Sequence, residues 1–327
     1  MKKNEISFSQ ALDQALLQSM DLDEGVIAFG PGVGATSQVF GTTSAAYEKY
    51  GEKRVFDTPV SEQALSQFAA GAALTGLRPV LIHHRFDFML YSLDAIYNWL
   101  SLWNFKSSGK SNMPVVIRAI VGKGWGQGPQ HAKNMLSIFS HCPGLRLVVP
   151  SSPADAKGLL ISSIFSDDPV LFIEERSLHS LKGEVPEAPY YIDLNKNQFV
   201  QAGKDLTLVT FGSGLKLTQE IADVLFKKHG LSSEIINLGS LAPIYLNDIY
   251  ESVKKTGRIV TIENAWPVCG IGSEIISKCT EECFNFLKSQ PIKISWPNSH
   301  VPMSTLAEQQ FYPNVDKTIE KILKIFK

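Results

Sequence analysis

The stretch GEKRVFDTPVSEQALSQFAAGAALTGLRPVLIHHRFDF, residues 51–88, decides how the chain is read. Arg54-Val55-Phe56 is a short β-rich run, broken by the proline turn Asp57-Thr58-Pro59-Val60. From Glu62 to Leu74 small and apolar residues carry helical spacing, with Ser61 placed to cap the first turn. Pro79-Val80-Leu81-Ile82 is then a continuous apolar run of the kind a strand covered on both faces requires. Strand, helix and strand in immediate succession predict a parallel α/β layer fold.

The alternation extends in both directions. Val26-Ile27-Ala28-Phe29 precedes it; Val115-Val116-Ile117, Leu145-Arg146-Leu147-Val148-Val149 and Val170-Leu171-Phe172-Ile173 follow, with a helix over Pro153 to Phe165. From Lys182 to Gly203 the chain turns polar and irregular, with Pro186 and Pro189, and reads as a crossing between domains. Beyond it come a strand at Leu206 to Phe211, a helix from Leu215 to His229, strands at Ser233 to Ile236 and Arg258 to Ile262, and a helix after Gly272. The expectation is two three-layer α/β domains, residues 1–185 and 203–327, joined by a linker over 186–202.

Bulk properties narrow the function. With 327 residues, 44% hydrophobic and 19% charged, the chain has material for two cores. A net charge of -1, with Lys and Arg scattered, offers no footprint for nucleic acid or an anionic membrane. No apolar run approaches the roughly 20 residues of a membrane helix. The start Met1-Lys2-Lys3-Asn4-Glu5 is not a secretory signal, and Cys142, Cys269, Cys279 and Cys283 show no CxxC spacing, so reduced thiols in a cytoplasm are expected.

Three clusters carry candidate chemistry. Glu62 stands just past a strand end on the first turn of a helix; locally it either complements the helix dipole or faces the crevice where open α/β sheets bind ligands. His83-His84-Arg85-Phe86-Asp87-Phe88 follows the next strand, and reads either as a solvated strand end or as part of the same crevice. Gly122-Lys123-Gly124-Trp125-Gly126-Gln127-Gly128-Pro129-Gln130-His131 is a glycine-dense loop with neither a Walker lysine nor a dinucleotide fingerprint. It is expected to be an active-site loop delivering His131 to a helix start.

In this order and at this separation the clusters resemble the beta subunits of thiamine diphosphate-dependent 2-oxo acid dehydrogenases of the pyruvate, branched-chain and acetoin type. The resemblance is carried by GEKRVFDTPVSEQ, AAGAALTGLRPVL, PQHA, HCPGLRLVVPSSPADAKGLL, DDPVLFIEE, GRIVTIENAWPVCGIGSEI and HVPM, and spans nearly the whole chain. It implies a thiamine diphosphate-binding, pyrimidine-type domain and a transketolase C-terminal-like domain. It also implies an α2β2 heterotetramer with a beta–beta contact and delivery to a lipoyl acyltransferase.

Under the resemblance Glu62 hydrogen-bonds the aminopyrimidine N1′, favouring the imino tautomer whose nitrogen takes the proton from thiazolium C2. Burial is expected to keep Glu62 protonated. Phe88 packs on the pyrimidine face, Phe86 fills core, His131 meets the 2-oxo acid, and Gln130 and Arg85 are weaker substrate candidates. No Gly-Asp-Gly occurs in the chain, so the diphosphate and Mg²⁺ are assigned to a partner.

The chain also departs from the pattern. Pro31 and Gly32 stand where relatives carry two acids, His84 and Arg85 replace Met-Thr, and Asp87 replaces Asn. Asn237 to Pro243 lacks the usual arginines, and the potassium site of many relatives maps weakly onto Ile164 and Asp168, with Ser166 between. Two other functions stay open: a biosynthetic thiamine enzyme or split transketolase half, and a non-catalytic assembly or regulatory subunit.

Overall fold

The computed structural model describes residues 2–34, 37–124 and 126–326, leaving Met1, Ala35, Thr36, Trp125 and Lys327 outside. The strands are β1 (Lys3–Ser7), β2 (Val26–Gly30), β3 (Val55–Asp57), β4 (Arg78–His83), β5 (Val116–Val121), β6 (Arg146–Val148) and β7 (Val170–Glu175). Then come β8 (Lys182–Pro186), β9 (Gln198–Gln201), β10 (Leu206–Thr210), β11 (Ser233–Asn237), β12 (Ser240–Ala242), β13 (Ile259–Ile262) and β14 (Ile292–Ile294).

One sheet has the order β12-β6-β7-β5-β4-β2-β3, and its six first-domain strands run parallel. Because side chains alternate along a strand, Leu81 packs on one face with Phe29, Ile117 and Phe139, while Val80 and Ile82 pack on the other with Leu12, Val116 and Leu160. The second sheet, β14-β13-β10-β11-β9, is parallel except for β9. Its outer face packs Leu208, Ile235 and Val260 against Ile221 and Ile322; its inner face shares a core with the first domain through Val209, Ile236 and Ile249. Two three-layer α/β domains are therefore present.

Two features escaped the reading of the sequence. The stretch 186–202 is not wholly irregular, since β9 lies in it and pairs antiparallel with β11. β12, a second-domain strand, joins the first sheet as an antiparallel edge on β6. Cross-domain pairing of this kind leaves no local periodicity to read. Among the described residues, no helix is long and apolar enough to cross a membrane.

Inside the first sheet, β5 and β7 are tied by a wholly buried ion pair. Arg118 Nε and Nη2 donate to Glu174 Oε1 at 3.0 and 2.8 Å, and His179 Nε2 lies 3.2 Å from Oε2. Burial acts to raise the Glu174 carboxyl, but Arg118 and His179 outweigh it and hold it below its ordinary 4.5. Its contribution to stability is therefore complete above about pH 4.5 and fades on acidification below it. Glu174→Ala, which strands Arg118 without a counter-charge, should cost about 3–5 kcal/mol in urea unfolding at neutral pH. The double change Arg118→Met with Glu174→Leu should recover most of that loss. A single-variant loss under about 1 kcal/mol would contradict this account.

Candidate active site

Neighbouring strands β5, β4, β2 and β3 all point the same way, so the segments that leave them meet at one sheet edge. After β3, Asp57 Oδ1 accepts the Gly34 N–H at 2.8 Å and so fastens the exits of β2 and β3 together. The helix Glu62–Leu74 then begins. Ser61 occupies its N-cap position, but contrary to expectation its side chain makes no capping bond. Among the described residues the Glu62 carboxylate takes no hydrogen bond, and the residue is half-buried rather than enclosed as expected. One turn on, Ser66 Oγ meets the Glu62 carbonyl and Ser92 Oγ, both at 2.9 Å, tying this helix to the Phe88–Ser92 turn.

At the exit of β4 the solvated alternative does not hold, since neither histidine is exposed. His83 is buried; burial first, and His84 second, lower its imidazole from 6.5 to about 4. His84 fills the space a side chain at position 32 would need: a Cβ on Gly32 would meet His84 Cε1 at 2.6 Å. Phe86 is wholly buried against Phe139, as expected of a core residue. Arg85 turns its guanidinium to the loop after β5, donating to Gln127 Oε1 at 3.0 Å and to the His84 carbonyl at 2.8 Å, with Phe40 beneath it.

That loop brings His131 to Phe88: the two rings meet edge to face, centroids 5.6 Å apart at 68°. His131 Nδ1 is buried with no hydrogen-bond partner among the described residues, whereas Gln130 is exposed. Trp125 of the loop lies outside the described residues. No helix starts at His131; the next one is Leu136–Ser140. The intervening backbone is held elsewhere, since Lys133 N–H donates to Asp87 Oδ1 at 3.2 Å and Asn134 Nδ2 to the Asn264 carbonyl at 2.7 Å. Burial pushes the Asp87 carboxyl up, with Lys133 acting against it.

The second domain also enters the site, unannounced by any sequence pattern. Ser213 Oγ accepts from Lys123 Nζ at 2.9 Å and Asn264 Nδ2 at 2.6 Å and donates to Glu175 Oε2. Glu308 accepts from the loop's own backbone. These partners lie far apart in the chain, and no motif spacing could have signalled them.

A potassium ion does not fit at Ile164 and Asp168. Arg78 Nη1 already donates to the Ile164 and Ser166 carbonyls at 3.2 and 3.1 Å, and the Asp168 carboxylate is engaged by Arg146 Nε at 2.9 Å. A resident guanidinium leaves those oxygens neither vacant nor attractive to a second cation.

Residues 4–180 match the family described as "Transketolase, pyrimidine binding domain", and residues 195–318 "Transketolase, C-terminal domain". The chain is 37% identical to the beta subunit of acetoin:2,6-dichlorophenolindophenol oxidoreductase of Cupriavidus necator, covering 94% of each chain. It is 36% identical to the pyruvate dehydrogenase E1 component subunit beta of Staphylococcus aureus over 97% of each, and 33% identical to that of Bacillus subtilis over 98% of each. A solved split gene transketolase, described as an inactive beta4 tetramer, shares the fold at TM-score 0.80 and 20% identity, with 98% of each chain covered. The transketolase of Campylobacter jejuni superposes at TM-score 0.72 and 16% identity, this chain spanning 47% of it.

Two measurements check the site. An imidazole lowered on folding makes the folded chain refuse a proton that the unfolded chain accepts, so stability should decline as pH falls from about 6.5 to about 4. His83→Gln should flatten that slope in urea midpoints taken at pH 7 and 5; an unaltered slope would count against the buried neutral imidazole. Exchanging potassium for sodium at constant ionic strength should leave the melting temperature unchanged, and a potassium-specific rise would show that Arg78 does not occupy the site.

Proposed function

Because this chain belongs to the family of 2-oxo acid dehydrogenase beta subunits, with a transketolase-type pyrimidine-binding domain followed by a transketolase C-terminal domain, we propose that it supplies the aminopyrimidine side of a thiamine diphosphate site completed by an alpha-type chain. The observation that carries the reading is Glu62: a half-buried carboxylate with no partner among the described residues, on the sheet edge that also carries the Phe88–His131 ring pair.

The side chains fit one half of such a cofactor. They offer a carboxyl group for a ring nitrogen, an aromatic face and an imidazole; the missing Gly-Asp-Gly segment assigns the diphosphate and its Mg²⁺ to the partner. When bound, the cofactor supplies the electron sink that lets a 2-oxo acid lose carbon dioxide. Glu62 would hydrogen-bond the ring nitrogen through its carboxyl group. Phe88 offers a flat apolar surface that excludes water from the ring. His131 orients the acid and moves a proton at its imidazole as the acyl group passes to a lipoyl-bearing acceptor. Gln130, exposed and next to His131 in sequence, is a weaker candidate for orienting the substrate, while Arg85 serves mainly to brace the loop.

The partner requirement has physical support. Val60, Phe68 and Tyr91 are large apolar side chains exposed on or beside the segments that carry Glu62 and Phe88. Apolar surface beside a catalytic residue is expected to be covered in the working assembly, and such cover would also enclose Glu62. We assign the chain to an α2β2 heterotetramer in a cytoplasmic complex, with its own copies in beta–beta contact.

In the complex assembled with its alpha partner, thiamine diphosphate and Mg²⁺, Glu62→Gln should lower kcat for the preferred 2-oxo acid about 10²- to 10⁴-fold. Size-exclusion profiles should be unchanged. Full turnover by the variant would remove the assigned role; a wild-type complex that takes up no cofactor in calorimetric titration would remove the reading altogether.

A further inference from the structure

Glu308 lies on the helix Thr305–Phe311 of the second domain and is 1% exposed. A carboxylate taken out of water must find strong partners, and those of Glu308 are two peptide groups 182 and 184 residues away. Its Oε1 accepts the Gly124 N–H at 2.7 Å and its Oε2 the Gly126 N–H at 2.5 Å. Tyr312 OH donates to Oε1 at 2.6 Å. The ammonium of half-buried Lys123, over the Tyr312 ring, supplies the opposite charge.

Both oxygens of one rigid group therefore grip alternate amides of the loop that ends at His131. The two amides can turn inward because Gly124 and Gly126 both have positive φ, +86° and +65°. Gly126 is also pressed against the second domain, where a Cβ would meet Thr305 Oγ1 at 2.8 Å and the Met303 carbonyl at 3.0 Å; at Gly124 nothing lies within 4 Å. At the base, a Cβ on Gly122 would meet the His131 carbonyl at 2.2 Å. The loop's two ends thus touch, with Gly122 and His131 side by side at its base.

We propose that Glu308 is a positioning residue, clamping the tip of the loop from the second domain and thereby presenting the His131 imidazole beside Phe88. The role rests on the reading of His131 as the residue that meets the substrate. Glutamine at 308 can serve one amide only and turns an N–H₂ group toward the other; it keeps the size of the side chain while undoing the clamp.

Hydrogen–deuterium exchange over residues 122–131 in the full chain reads the clamp without reference to activity. Glu308→Gln should exchange there at least tenfold faster, and in the complex assembled with its alpha partner it should lose at least tenfold in kcat with KM for the 2-oxo acid little changed. The acid limb of the pH–rate profile should shift as well, which a merely structural loss would not cause. Unchanged exchange overturns the clamp, and faster exchange with wild-type kcat and pH profile overturns the positioning role. Should Glu308→Gln fail to fold, Gly126→Ala decides instead, because a Cβ there meets Thr305 Oγ1 and the Met303 carbonyl: it should speed exchange over residues 122–131 and lower kcat, and unchanged exchange overturns the clamp. Full kcat in His131→Asn would end the assignment to His131, and with it the positioning role, while the exchange result still decides the clamp.

Discussion

A parallel strand hands the residues that follow it to one edge of its sheet, and four adjacent strands doing so is the constraint on which this molecule depends. Glu62, His84 to Phe88 and the loop to His131 come from separate stretches of chain, yet β3, β4 and β5 discharge them onto the same rim. Register then sets the finer placement: His83 is the last residue of β4 and pairs with Ala119 inside the sheet, so its imidazole is buried and kept neutral while its neighbour His84 reaches the rim. The ion pair between Arg118 and Glu174 locks β5 to β7 behind that rim, where a charge without its partner would be intolerable.

The rim alone does not order the glycine loop. Its support comes from the second domain through Ser213, Asn264 and Glu308, in a buried network where each polar group answers another. Such networks hold firmly when satisfied, because the low dielectric that strengthens each bond also penalises its loss. The continuous core from Phe29 and Leu171 into Val209 and Ile249 makes the seam stiff enough for that purpose. The second domain thus acts as a buttress for residues the first domain carries.

Departures from the family pattern become coherent once they are seen in space. The glycine at 32 and the histidine at 84 go together in space, since the imidazole occupies the volume that a side chain at 32 would claim. In the same way Arg78 lies against the carbonyls of Ile164 and Ser166, so a fixed protein charge stands where the sequence resemblance implies a potassium site.

The α/β class, most strands and the three site clusters were legible in the sequence because they rest on local facts: period-two and period-3.6 apolar patterns, a proline turn before Glu62, a glycine run before His131. What was not legible has a common physical cause. The strand at Ser240–Ala242, the burial of His83, the irregular backbone after His131, the engagement of Arg85 by Gln127 and the grip of Glu308 on the loop each depend on a partner distant in sequence. Periodicity records which face of an element is buried, but not what it is buried against. The residue types of the candidate site were therefore legible in the sequence, whereas their burial and spacing were decided by packing within the first domain and the support of the glycine loop by its contact with the second.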